Sequence, residues 1–104
     1  MLLVDDNFMN NVSMQAALEE IGVASDATIS GQNGIEKLIE RIEQLKSISS
    51  TALMYKLIIV DYSMPEMDGI EFTQQAKQLI SDSFLPMPYI CCCSAIAGEL
   101  MMRN

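Results

Sequence analysis

The sequence predicts an α/β chain built on a parallel sheet. Short apolar runs of strand type alternate with stretches whose apolar residues recur at helical spacing, and strands separated by helices pair in parallel with helices covering the sheet. Two of these runs, Met1-Leu2-Leu3-Val4 and Leu57-Ile58-Ile59-Val60, end abruptly in carboxylates, Asp5-Asp6 and Asp61. The second run is mostly β-branched, which suits a strand buried on both faces. An aspartate at its carboxyl end stands where open α/β sheets place their ligand sites.

Each element has its own signal. After the first strand, Asn7 or Asp6 starts a helix with Met14, Ala17, Leu18 and Ile21 on its apolar face, and Gly22 stops it. Val23 to Ser30 is a weaker, alternating strand containing Ala27 and Ile29, and Gly31-Gln32-Asn33-Gly34 is a turn and helix start. The two glycines do not form a phosphate loop, because the full glycine-rich pattern and its lysine are missing. Ile35, Leu38, Ile39, Ile42 and Leu45 then form a helical stripe among charged residues. The stripe is too short for a coiled-coil linker, and one face packed on a sheet accounts for it. Ser47 to Met54 is a surface insertion. Beyond Asp61, a turn with Pro65 and Gly69 leads to a helix over roughly Gly69 to Ser81, capped by Asp68, with Phe72, Ala76, Leu79 and Ile80 facing inward. Met64 and Met67 pack, and Gly69 supplies a backbone conformation closed to other residues. Leu85-Pro86-Met87-Pro88 breaks the chain, Tyr89 to Cys93 form a fourth strand, and Ala97 to Met102 begin a fourth helix.

With 104 residues, half of them hydrophobic, the chain is one domain or a piece of one. The net charge of -8 without a basic patch argues against direct nucleic-acid contact by this segment, and suits a basic partner or simple solubility. Cys91, Cys92 and Cys93 are adjacent, so they neither pair with one another normally nor have metal-site spacing. They are expected to be reduced thiols in a strand, which implies a reducing compartment. No apolar run is long enough to span a bilayer and there is no charged leader, so the segment is expected to be cytoplasmic and not membrane-inserted, alone or as the cytosolic part of a membrane-bound protein.

The chemistry rests on the carboxylates. If two neighbouring strands end in Asp5, Asp6 and Asp61, three like charges meet and raise one another's pKa. A hard cation relieves that repulsion, and Mg2+ suits a few carboxylates with water and a phosphate oxygen. The competing explanation is that each aspartate caps the helix after it. It is a fair competitor for Asp61 alone and weaker once Asp5-Asp6 is placed the same way.

Four motifs now stand in order along the chain: Val4-Asp5-Asp6-Asn7, Val60-Asp61-Tyr62-Ser63-Met64-Pro65-Glu66-Met67-Asp68-Gly69, Pro88-Tyr89-Ile90 and Ser94-Ala95. With them the chain resembles the receiver domain of two-component response regulators; Asp5-Asp6-Asn7 with Asn10 and Gly22 resembles the receivers of hybrid histidine kinases. The resemblance implies a flavodoxin-like (CheY-like) doubly wound parallel sheet of order 2-1-3-4-(5). It implies that Asp61 is the phosphoacceptor, taking a phosphoryl group from a phosphohistidine of a histidine kinase or histidine phosphotransfer protein. Mg2+ would be held by Asp6 and Asp61 directly, by the backbone carbonyl of Ser63, and by Asp5 through water. The Ser94 hydroxyl would meet the phosphoryl oxygen and couple modification to a loop shift. Such a chain is a module that modifies itself, within a response regulator or hybrid kinase, and not a stand-alone enzyme.

The sequence also departs from the family. Receivers carry a lysine at the end of a fifth strand, and nothing after Ser94 is a lysine. Lys56 precedes its strand and Lys77 lies within a helix, so neither substitutes. The fifth strand and helix are expected to be missing, making residues 1–104 a receiver domain incomplete at its C-terminus. The missing lysine favours an alternative function, a non-phosphorylated pseudo-receiver acting as a protein-interaction module. A Mg2+-dependent phosphohydrolase would want a second acid two residues after its nucleophile, where Ser63 stands.

Overall fold

In the computed structural model, which describes residues 1–48, 54–93 and 100–103, the chain runs β1 (Leu2–Val4), α1 (Phe8–Glu20), β2 (Asp26–Thr28), α2 (Gly31–Ile48), β3 (Leu57–Asp61), α3 (Gly69–Asp82), β4 (Tyr89–Cys93) and β5 (Leu100–Arg103). The sheet order is β2-β1-β3-β4-β5. The first four strands are parallel in the expected order 2-1-3-4. Right-handed crossovers then put α1 on one face and α2 with α3 on the other, because only the first connection runs towards β2.

The fourth helix expected over Ala97 to Met102 is not formed at its C-terminal end. Leu100–Arg103 is instead a strand, antiparallel to β4, with Cys93 opposite Leu100 and Ile90 opposite Arg103. The reason is geometric. A parallel neighbour needs a crossover of about a dozen residues or more. The link from Cys93 to Leu100 is far shorter, so an apolar run placed there can only return antiparallel. A parallel fifth strand is not found among the described residues.

The core lies under α2 and α3. Leu2, Val4, Ile58, Val60, Ile90 and Cys92 are fully buried on that face and meet Phe72, Ala76 and Ile80 of α3 and Leu38 of α2. Burial on both faces of β3 was expected; Leu57 and Ile59 are only half-buried. The α1 face of the sheet is the thinner one. Leu18 is buried there, but Met14 and Ala17 are exposed and Ile21 is 73% exposed, against the expected apolar face. Polar contacts anchor α1 instead. The Asn11 amide, buried, donates to the carbonyls of Asp5 and Thr28, and Gln15 donates to the Ser25 carbonyl.

Three local expectations change. The second strand is shorter than Val23 to Ser30, and Ala27 and Ile29 are exposed because β2 is the sheet's edge. Its Asp26 is tied to the Arg41 guanidinium at 3.1 Å and to the Tyr55 hydroxyl, with Arg41 stacked over the Tyr55 ring. Gly31 to Gly34 is the first turn of α2 and not a separate turn; a Cβ on Gly34 would lie 2.7 Å from Phe72 and 3.0 Å from Val4, so this glycine lets α2 settle onto the core. The insertion begins later than Ser47, which is helical, and at its far end Met54 is buried in the core. Residues 49–53 lie outside the described residues. As expected, Gly22 ends α1 with φ near +76°, Cys91 and Cys92 are buried strand thiols, and Met64 and Met67 pack with the core.

Candidate metal and phosphoacceptor site

Strand register brings the acids together. Val4 pairs with Val60, so Asp61 and the Asp5-Asp6 pair leave the same edge of the sheet from adjacent strands. One carboxylate oxygen from each of Asp5, Asp6 and Asp61 can be chosen so that all lie within 4.8 Å of one another. Asp5 and Asp61 are half-buried and Asp6 is exposed.

These aspartates are not helix caps. Asn7 caps α1, its side chain accepting from the backbone of Met9 and Asn10. Asp68 caps α3, accepting from the Glu71 N–H at 2.9 Å. With both N-termini served elsewhere, the trio is left facing itself. Burial pushes the Asp61 carboxyl up, the charge of Asp5 pushes it further, the Ser63 N–H at 3.4 Å opposes, and Asp6 adds to the rise. Among the described residues no ion pair reaches the trio; the pairs join Lys37 to Glu40 and Arg41 to Asp26. Lys56 lies at the far end of β3 and Lys77 within α3.

The turn after Asp61 is built for close approach. The Tyr62 N–H donates to the Cys93 carbonyl at 2.8 Å, and the Gly69 N–H donates to the Tyr62 carbonyl at 2.9 Å. These bonds draw α3 back against the strand end. A Cβ on Gly69 would sit 2.7 Å from the Asp61 carbonyl oxygen and 2.9 Å from the Tyr62 Cα. Gly69 therefore serves contact between backbones, and not the unusual conformation expected for it. The left-handed residue of this turn is Glu66, at φ +68°, following Pro65. Such a conformation costs a non-glycine residue about 1 kcal/mol. Gly69→Ala is expected to destabilise the fold by about 1–3 kcal/mol, since backbone cannot step aside as a side chain can. Gly31→Ala meets the Met67 Sδ at 2.8 Å and its Cβ and Cγ at 2.9 Å; the outer atoms can turn away and the Cβ cannot, so it should also cost stability, but less than contact with two backbone atoms. Chemical denaturation of the two variants checks the order.

Of the five site residues expected from sequence, Asp5, Asp6 and Asp61 are therefore at one place, with Ser63 exposed beside them. Ser94 lies outside the described residues. Sequence reasoning missed the support around Asp5. Its Oδ1 accepts the Asn7 N–H at 2.9 Å and its Oδ2 accepts the Asn10 side-chain amide at 3.1 Å. Helical spacing of Asn10 and Asn11 after the strand end was the available signal. Cys93, expected only as a reduced strand thiol, stands opposite Asp61 in the sheet; burial, then its neighbouring thiols and the site acids, push its thiol up and keep it protonated.

No family model matches the chain. It is 31% identical to the chemotaxis protein CheY of Halobacterium salinarum over 104 residues, covering 99% of this chain and 72% of that protein. It is 33% identical over 100 residues to two-component system protein A of Emericella nidulans, covering 96% of this chain and 12% of that one. It spans only 4% of hybrid signal transduction histidine kinase B of Dictyostelium discoideum. Among solved structures, the receiver domain of the histidine kinase CKI1 of Arabidopsis thaliana, complexed with Mg2+, matches with a TM-score of 0.80 at 28% identity, over 89% of this chain and 65% of that one. The same domain with Mg2+ and BeF3- gives 0.81. Sequence and fold thus agree over nearly the whole length, and the chain belongs to the receiver family of two-component response regulators.

Proposed function

We propose that the chain accepts a phosphoryl group on Asp61 from a phosphohistidine of a histidine kinase or histidine phosphotransfer protein, as the receiver module of a longer cytoplasmic signalling protein. The observation that carries this is the convergence of three carboxylates at the carboxyl end of two adjacent strands. An oxygen-only donor set in an open position suits Mg2+. Asp6, the most exposed acid, and Asp61 would hold the ion directly, with the Ser63 carbonyl. Asp5, whose oxygens already accept from Asn7 and Asn10, would act through water. When bound, the ion offsets the charge of the trio and of the phosphoryl oxygens.

The chain's own residues do the rest. The Ser63 N–H holds Asp61 Oδ1, leaving the other oxygen to attack phosphorus. An O–P bond forms as the N–P bond to the partner's imidazole breaks, and the imidazole leaves with its electron pair and takes up a proton. Ser94, from the resemblance, would donate its hydroxyl to a phosphoryl oxygen. That no ion pair reaches the trio among the described residues supports a second reading, a pseudo-receiver that binds partners without being modified.

Incubation with a phosphotransfer protein carrying radiolabelled phosphohistidine separates the two. Transfer of label to the chain with Mg2+, lost with a chelator and in Asp61→Asn, is the expected result. A folded chain that binds the donor and takes no label is a pseudo-receiver.

A further inference from the structure

We propose that Asn10 is a positioning residue for the metal site, holding the Asp5 carboxylate in place before a cation arrives. The inference rests on the Mg2+ reading above. Asp5 is the most constrained of the three acids. Its N–H donates to the Thr28 carbonyl at 3.1 Å, and its own carbonyl accepts from the Asn11 amide at 3.0 Å. Its Oδ1 accepts from the Asn7 backbone and its Oδ2 from Asn10 Nδ2. The backbone is thus locked by β2 and Asn11, and the carboxylate is gripped from both sides.

Asn10 is exposed and sits in the first turn of α1. Asparagine is a poor helix former, and Asn7 already caps this turn. On helix stability alone, alanine would serve better at position 10. What the asparagine adds is the bond to Asp5. Each oxygen of Asp5 keeps a further acceptor site for a bridging water. A carboxylate already oriented loses less freedom when a cation binds, and a donor on Oδ2 lessens repulsion among the trio.

The test is Mg2+ titration followed by calorimetry, with melting temperatures measured without metal, on the unaltered chain, Asn10→Ala, Asp5→Asn and the double variant. Asn10→Ala is expected to weaken Mg2+ binding about two- to five-fold, less than the loss at the partner of a direct ligand because Asp5 reaches the ion through water, while its metal-free melting temperature holds or rises. In the Asp5→Asn background the same change should weaken binding little further. Unchanged or tighter binding in Asn10→Ala would overturn the proposal, as would an equal loss in the Asp5→Asn background. No Mg2+ binding by the unaltered chain would overturn the magnesium reading itself, and this inference with it.

Discussion

Asp61→Asn is expected to raise the melting temperature of the metal-free chain at neutral pH and to abolish its stabilisation by Mg2+. Burial first, and the charge of Asp5 second, raise the Asp61 pKa. The folded chain then holds this proton more tightly than the unfolded chain does. Above the folded pKa the ionised carboxylate weighs against folding, and that burden lifts as pH falls through it. Asparagine removes the burden at neutral pH. Asp26 behaves in the opposite way. Burial pushes its carboxyl up, but Tyr55, Lys37 and Arg41 together outweigh burial and hold it low. Its contribution is present above its unfolded pKa and is lost as pH falls through its folded pKa. In the unaltered chain the two acids oppose one another on acidification; in Asp61→Asn only the loss at Asp26 remains of this pair. The variant's advantage should therefore shrink as pH falls. Thermal melts at neutral and mildly acidic pH, with and without Mg2+, read both effects. A lower melting temperature for Asp61→Asn at neutral pH without metal would contradict this account of the site.

Phe72→Ala is expected to cost about 3–5 kcal/mol, the range for deleting a buried aromatic ring. Total stability for a domain of this length is about 5–15 kcal/mol. Phe72 is among the largest fully buried side chains. It is also where α3 meets both α2 and β1, since a Cβ on Gly34 would touch its ring and Val4 together. The cavity would open at the junction of three elements that collapse poorly. Denaturant unfolding should show the variant partly unfolded under conditions where Leu18→Ala, on the thinner face, is still folded. Near-equal losses would mean that the two faces of the sheet contribute alike.

The parts legible in the sequence are those where one residue type has one physical job. Apolar runs ending in acids gave β1, β3 and the trio, because a strand's direction and its neighbour's register place both ends on one edge. Asp68, Gly22 and the stripes of α2 and α3 were readable for the same reason, except that Ile39 of the α2 stripe is exposed. Legibility failed where a residue's job depends on what packs against it. The apolar spacing of α1 suggested a buried face, yet Ile21 and Met14 are exposed while Asn11 is buried. No periodicity distinguishes a polar anchor from an apolar one. Gly69 and Gly34 looked like turn residues, but each is a point of contact between elements distant in sequence. Leu100–Arg103 forms the antiparallel β5 where a helix start is expected, because Leu100-Met101-Met102 is too short for periodicity to decide. Its link to β4 decides it instead.

The central claim is that Asp61 takes a phosphoryl group with help from Mg2+. Intact mass after incubation with a small phosphodonor, with and without Mg2+, tests it most directly beside Asp61→Asn. The account predicts a single phosphoryl adduct that needs Mg2+ and is missing in the variant. An adduct that persists in Asp61→Asn, or none on a folded chain shown to bind Mg2+, would contradict it.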